Sequence, residues 1–195
     1  MIKPFKVEIS EENLKNIYSK VKNYPWHEMP DDGGWKYGTN LDYMKEFSKY
    51  WVGKFDWRKT EEKINKFKNF KSNIEGIDIH FIHEKGSGPN PKPLLLSHGW
   101  PGSIVEFLHI IDQLTHPEKF GGKEEDAFDV VVPSLPGFGF SGRPSRPIGP
   151  RKMASIFNIL MTDVLGYKKY IAQGGDFGGT IATWLAYDFP KTLAG

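Results

Sequence analysis

The 195-residue chain contains no cysteine. That excludes disulfides, thiolate nucleophiles and Cys-ligated zinc or iron–sulfur centres, and suits a reducing compartment. No stretch approaches the ~18 consecutive apolar residues that cross a bilayer. The opening Met1-Ile2-Lys3-Pro4-Phe5-Lys6 has no apolar core of a signal peptide. A cytoplasmic protein without a membrane span is therefore expected. A surplus of one charge is missing too: 26 basic against 24 acidic residues leave +2, which gives no pull toward nucleic acid. The one basic stretch, Lys54 to Lys71, reads as the solvated face of a helix, because so small an excess releases few counterions from a phosphate backbone. There is no internal repeat.

Aromatic residues make up 14% of the chain, with 6 Trp and 14 Phe. A disordered chain lacks such residues, which bury enough surface to offset ordering entropy. The 21 Gly and 14 Pro gather mostly between residues 86 and 150, interrupted by apolar runs, as loops between buried elements would be.

The first 75 residues read as mainly helical. Ser10 with Glu11 and Glu12 has the form of a helix start. Leu14, Ile17, Tyr18 and Val21 follow at helical spacing until Pro25. A turn-rich stretch runs from Pro25-Trp26 to Trp35. Two further helical patterns carry Leu41, Met44, Phe47, Tyr50 and Trp51, then Trp57, Ile64 and Phe67. At Gly76 the period changes: Ile77 to Ile82 reads as a half-buried strand. Leu94 to Ser97, Val130 to Val132 and Tyr170 to Ala172 read as buried strands. They alternate with helices over Ile104–Leu114, Ile156–Leu165 and Thr180–Phe189. That order predicts an α/β fold with parallel core strands over residues 76–195, preceded by a helical region over 1–75.

Ligands of open α/β sheets sit beyond the carboxyl ends of strands, and each of the three buried strands ends in a glycine-rich motif. The third ends Gly174-Gly175-Asp176-Phe177-Gly178-Gly179. A side chain between strand and helix, flanked by small residues, describes a nucleophile elbow. Here the central side chain is Asp176. A carboxylate is anionic at neutral pH and needs no base to activate it, but as a weak nucleophile it suits carbon bearing a strained or good leaving group. Taken alone, the motif equally fits an aspartate that caps the following helix. The first strand ends Ser97-His98-Gly99-Trp100-Pro101-Gly102-Ser103. The N–H of Trp100, paired with that of Phe177, is placed to meet a developing oxyanion. Pro101 is a candidate for a cis bond. His98 reads as structural, its ring tying down neighbouring backbone. The second strand ends at Pro133 and leads into Gly137-Phe138-Gly139-Phe140-Ser141-Gly142, which matches G-x-G-x-x-G. A dinucleotide site would need a helix to start there, and Pro144 and Pro147 oppose one. A rigid loop lining a pocket fits instead, with Phe138 and Phe140 as pocket candidates. His80 and His83, three apart on a strand, face opposite sides and cannot chelate together; no metal and no cofactor are expected.

Together these motifs resemble the microsomal-type epoxide hydrolases of the α/β-hydrolase superfamily. Pro25-Trp26, Trp35 and the charged helices look like that branch's N-terminal domain, whose family boundary extends to about residue 110. Ile77–His83, His98–Ser103, Pro133–Ser141 and Gly174–Gly178 follow in the family's order. The resemblance implies that Asp176 attacks a small-molecule epoxide to give an alkyl ester. A lid tyrosine would assist ring opening, and a His–acid pair would activate the water that releases a vicinal diol. In this superfamily the acid and the His follow the nucleophile, yet no His lies beyond His116. The resemblance thus covers the family's N-terminal half. It implies a truncated core that is inactive or limited to the first half-reaction, with an open sheet edge at Tyr170–Ala172 inviting self-association. A haloalkane-dehalogenase-like hydrolase and a non-catalytic half-domain are the alternatives.

Overall fold

The computed structural model describes residues 1–27 and 34–195. The expected turn-rich stretch at residues 25–35 therefore lies partly outside the described residues. The chain divides into two compact units, Val7–Glu62 and a larger one formed by Met1–Lys6 with Lys63–Gly195.

The smaller unit is helical. Helix α1 (Glu11–Lys22) begins where the sequence places it: the Ser10 hydroxyl accepts the Asn13 N–H at 3.2 Å. Acids in its first turn and lysines in its last match the helix dipole. Helix α2 (Leu41–Gly53) is capped by Asn40, which accepts the Tyr43 N–H at 2.9 Å. Helix α3 spans Trp57–Asn65. The buried Glu61 carboxylate binds the chain before α1 to α3 by accepting from Ile9 N–H at 2.6 Å, the Trp57 indole at 3.0 Å and Arg58 at 2.6 Å.

The larger unit is built on one six-stranded sheet in the order β1-β2-β3-β5-β4-β6. Its strands are β1 (Ile2–Pro4), β2 (Asn69–Ile74), β3 (Ile77–Glu84), β4 (Lys92–Ser97), β5 (Phe128–Pro133) and β6 (Ile171–Gly174). The pairings β4–β5 and β4–β6 are parallel, and the others are antiparallel. Helices α5 (Pro150–Ile159) and α6 (Phe177–Asp188) cover one face. Met153, Ile156, Phe157, Ile181 and Leu185 pack there on Ile79, Phe81, Leu95 and Val131. The short α4 (Ile111–Thr115) packs on β5. No helix among the described residues is long and apolar enough to cross a membrane.

Several sequence expectations change. Two strands, β1 and β2, lie within the 75 residues read as helical. Asn69-Phe70-Lys71-Ser72-Asn73 has little strand signal of its own and is held by pairing with β3, since strand preference is largely a matter of neighbours. The expected division at 75/76 falls inside the β2–β3 hairpin, at a two-residue turn. Glu75 and Gly76 there have φ of 51° and 82°, the backbone that the twist of a tight hairpin requires. The basic stretch is accordingly helical only as far as Asn65. Strand β3 is buried on both faces from Ile79 to Ile82 rather than half-buried, because the helices cover the face of Ile79 and Phe81 while Phe5 and Phe140 pack over His80 on the other. The helix expected over Ile104–Leu114 is a 3-10 turn at Ile104–Phe107 followed by α4. That expected over Ile156–Leu165 starts earlier, at Pro150, and ends in a π turn at Leu160–Val164. Proline suits the first helical position because its missing N–H has no partner there anyway. The outer edge of β6 is not bare: Tyr170 N–H donates to Thr192 O at 3.0 Å, Ala194 N–H to Tyr170 O at 2.8 Å, and Ala172 N–H to Gly195 O at 3.0 Å.

One buried charge ties the sheet together. Asp129 at the start of β5, 4% exposed, accepts from Lys85 at 2.7 Å, from the Tyr167 hydroxyl at 2.7 Å and from Gly86 N–H at 2.9 Å. Asp129→Ala removes the acceptor of Gly86 N–H and leaves the Tyr167 hydroxyl only His83 and Lys85 as partners; it is expected to cost about 2 kcal/mol, with Lys85 contributing least because it is solvated. Chemical denaturation of the two proteins reads the difference.

Candidate active site

Strands β4 and β6 are parallel neighbours with Ser97 opposite Gly174. Their carboxyl ends are therefore level, and the loops that leave them emerge side by side. Helix α6 follows within a few residues and returns close to the end of β4. A Cβ on Gly178 would lie 2.0 Å from Ser97 O, and one on Gly174 would lie 2.4 Å from the Gly178 carbonyl carbon. No side chain fits at either place. Gly175, grouped with them on sequence, faces open space and is not required on steric grounds.

Asp176 stands at the corner with φ 53° and ψ −125°, a conformation that costs a non-glycine residue energy and persists only where its surroundings impose it. Its side chain is exposed. Oδ1 accepts from Trp100 N–H at 2.8 Å and from Phe177 N–H at 2.6 Å; Oδ2 has no hydrogen-bond partner among the described residues. The residue does occupy the cap position of α6. Capping alone does not account for the geometry, since one donor comes from a loop 76 residues away in sequence.

Those two N–H groups, Trp100 first, hold the Asp176 carboxyl below the ordinary aspartate range, because hydrogen bonds to the ionised form favour it. Its contribution to stability is thus complete above the unfolded-state value and is lost as pH falls through the lower folded value. Carboxyl-detected NMR is expected to show Asp176 still ionised where exposed model aspartates have half titrated.

The Trp100–Pro101 bond is cis. Gly99 lies against the aspartate: a Cβ there would sit 2.5 Å from the Asp176 Cβ. Trp100 and Phe177 are 64% and 41% exposed, and each meets the carboxylate through its backbone N–H. His98 is 1% exposed. Its Nδ1 donates to Gly99 O at 2.9 Å and its Nε2 accepts the Leu135 N–H at 3.1 Å. Burial lowers its pKa, so the ring is neutral, and both nitrogens are committed. Phe138 stands edge-on to the His98 ring at 5.9 Å. Phe140 instead packs on Phe5 at 5.8 Å and His80 at 5.1 Å, beside the antiparallel end of the sheet.

His80 is fully buried and bonded to Ser134 Oγ and Asn69 Oδ1, both at 2.9 Å. His83 contacts the Tyr167 hydroxyl at 2.9 Å. Among the described residues no cluster of His, Asp and Glu is placed to hold a metal ion. One supporting device escaped the reading of the sequence although its signal was there. Ser103-Ile104-Val105-Glu106 has the S-x-x-E spacing of a capping box. Ser103 N–H donates to Glu106 Oε1 at 3.1 Å and Ser103 Oγ accepts from Val105 N–H at 3.3 Å, which fixes the loop after Trp100.

The family model described as epoxide hydrolase N terminus matches residues 2–107, and that described as alpha/beta hydrolase fold matches residues 92–195. Epoxide hydrolase 1 of Sus scrofa is 42% identical over 199 residues, covering 100% of this chain and 44% of that protein. The structure of juvenile hormone epoxide hydrolase from the silkworm Bombyx mori superposes with a TM-score of 0.88 at 37% identity, over 99% of this chain and 51% of that one. Aspergillus niger epoxide hydrolase gives 0.87 at 31%, over 98% and 50%. The chain thus spans about half the length of the relatives it matches. Similarity running through both the helical unit and the sheet, with the aspartate corner between β6 and α6, places the chain in the epoxide hydrolase family of the α/β-hydrolase fold.

Proposed function

We propose that Asp176 opens epoxides. Oδ2 attacks a ring carbon, the C–O bond of the strained ring breaks, and the freed oxygen takes a proton. The product is an alkyl ester whose carbonyl oxygen is the former Oδ1. When water adds to that ester carbon and gives up a proton, negative charge gathers on Oδ1, between the N–H groups of Trp100 and Phe177. Collapse breaks the bond from the ester carbon to the alkyl oxygen and, with a proton, releases a vicinal diol and the carboxylate. The balance is epoxide plus water to diol, with no redox change. One observation carries the reading: a solvent-facing carboxylate with one oxygen doubly held by backbone and the other without a hydrogen-bond partner among the described residues. The relatives, named as epoxide hydrolases, support the substrate class.

Water activation is a separate demand, and His98 does not meet it because its Nε2 is occupied by Leu135 N–H. With His98 so committed, we expect ester formation on Asp176 without rapid turnover. Incubation of the chain with a monosubstituted aryl epoxide, followed by proteolysis and mass analysis, is expected to place the mass of one epoxide on the peptide containing Asp176. Labelling confined to lysines or histidines defeats the reading. Multiple rapid turnovers defeat the claim that hydrolysis is lacking. Faster alkylation by a haloalkane with halide release points to a dehalogenase.

A further inference from the structure

The peptide unit between Gly99 and Trp100 is engaged on both sides. Its carbonyl accepts His98 Nδ1–H at 2.9 Å, and its N–H donates to Asp176 Oδ1 at 2.8 Å. The cis bond lies one residue later, so this peptide is trans, and its C=O and N–H point in opposite directions. Whatever holds the carbonyl therefore aims the N–H. The imidazole is held in turn: Nε2 accepts the Leu135 N–H at 3.1 Å, which leaves Nδ1 as the protonated nitrogen. Leu135 belongs to the loop after β5 and is fully buried. The ring thus braces one strand-end loop against another.

We propose that His98 is the positioning residue of the oxyanion donor: its Nδ1–H fixes the Gly99 carbonyl and so turns Trp100 N–H onto the carboxylate of Asp176. This deepens the reading of Asp176 and Trp100 given above and rests on it for its catalytic meaning. The geometry itself is independent of any reaction. His98 touches no reacting atom. It acts by removing the freedom of one peptide plane to rotate, as preorganised donors must be fixed before charge develops. Gly99 offers no side chain that would restrain that plane in its place.

Two substitutions separate this role from mere packing. In His98→Asn the amide nitrogen takes the place of Nδ1 and still donates to the Gly99 carbonyl. In His98→Gln the amide oxygen reaches the place of Nε2 and still accepts from Leu135, while the donor to Gly99 is gone. Titration of the Asp176 carboxyl by NMR reads the Trp100 N–H directly and requires no substrate. The expected result is that H98Q moves the Asp176 midpoint upward toward the ordinary aspartate range while H98N leaves it near wild type. Equal midpoints in the two variants, or a shift that follows melting temperature alone, overturn the proposal. The wild-type chain supplies a test without any variant: ring nitrogen shifts are expected to show Nδ1 protonated and Nε2 bare, and the opposite tautomer overturns the proposal. Because neither measurement involves an epoxide, failure of the chain to form an ester refutes the function of Asp176 and leaves the role of His98 to stand or fall by these signals.

Discussion

Asp176→Asn should abolish labelling of residue 176 by an epoxide, with the rate of adduct formation falling by ~10³-fold or more, the scale on which loss of a nucleophile is felt. The substitution is nearly isosteric. The amide oxygen can still accept from Trp100 and Phe177 N–H, so the corner keeps its hydrogen bonds and melting should change little. What disappears is the free anionic oxygen. A neutral amide nitrogen, its lone pair delocalised, does not open a three-membered ring in water at neutral pH. The comparison therefore isolates chemistry from folding. It is made by following intact mass with time for the two proteins at equal epoxide concentration. Equal rates of mass gain would mean that the reactive group lies elsewhere in the chain.

Gly178→Ala tests how the corner is built. In a helix, alanine is intrinsically preferred over glycine by about 1 kcal/mol, so local propensity predicts a gain. The tertiary structure predicts the reverse. The new Cβ would stand 2.0 Å from Ser97 O and 3.0 Å from His98 O, and backbone atoms inside a sheet do not move aside as a flexible side chain would. Overpacking of this kind typically costs up to about 3 kcal/mol, occasionally more, which outweighs the propensity term. A fall in Tm of about 10 °C is expected for a chain of this size. Gly175→Ala is the control: nothing lies within 4 Å of its Cβ, and the change should stay within about 0.5 kcal/mol. If the two variants melt together, α6 does not approach β4 as closely as the structure has it. A relaxed G178A would also draw Asp176 away from Trp100 N–H, so its carboxyl should titrate closer to the ordinary range even where folding survives.

Much of this was legible in the residues. Runs such as Leu94-Leu95-Leu96 and Val130-Val131-Val132 suit strands buried on both faces, and Ser10 and Pro25 bracket a helix by their chemistry. Asp176 stood out because glycines crowd around it between an apolar strand and an apolar helix. The reading failed where an element owes its form to its neighbours. Strand β2 has the composition of a surface loop and exists because β3 pairs with it. Strand β3 alternates like a half-buried strand yet is covered on both faces from Ile79 to Ile82. Phe140, grouped with Phe138 by a repeated motif, packs on Phe5, a residue 135 positions earlier in the chain.

Covalent pattern by itself determined the identity of the nucleophile candidate, the alternation of strands and helices from residue 76 onward, and the small residues without which the corner could not close. These are local properties, set by side-chain volume, charge and backbone freedom at each position. Only the tertiary structure decided that Ser97 lies level with Gly174, that one carboxylate oxygen is held from two segments while the other has no hydrogen-bond partner among the described residues, and that His98 joins the loop after β4 to the loop after β5. Those depend on the register of parallel strands, which is fixed by the packing of residues far apart in the chain and is written in no short segment of it.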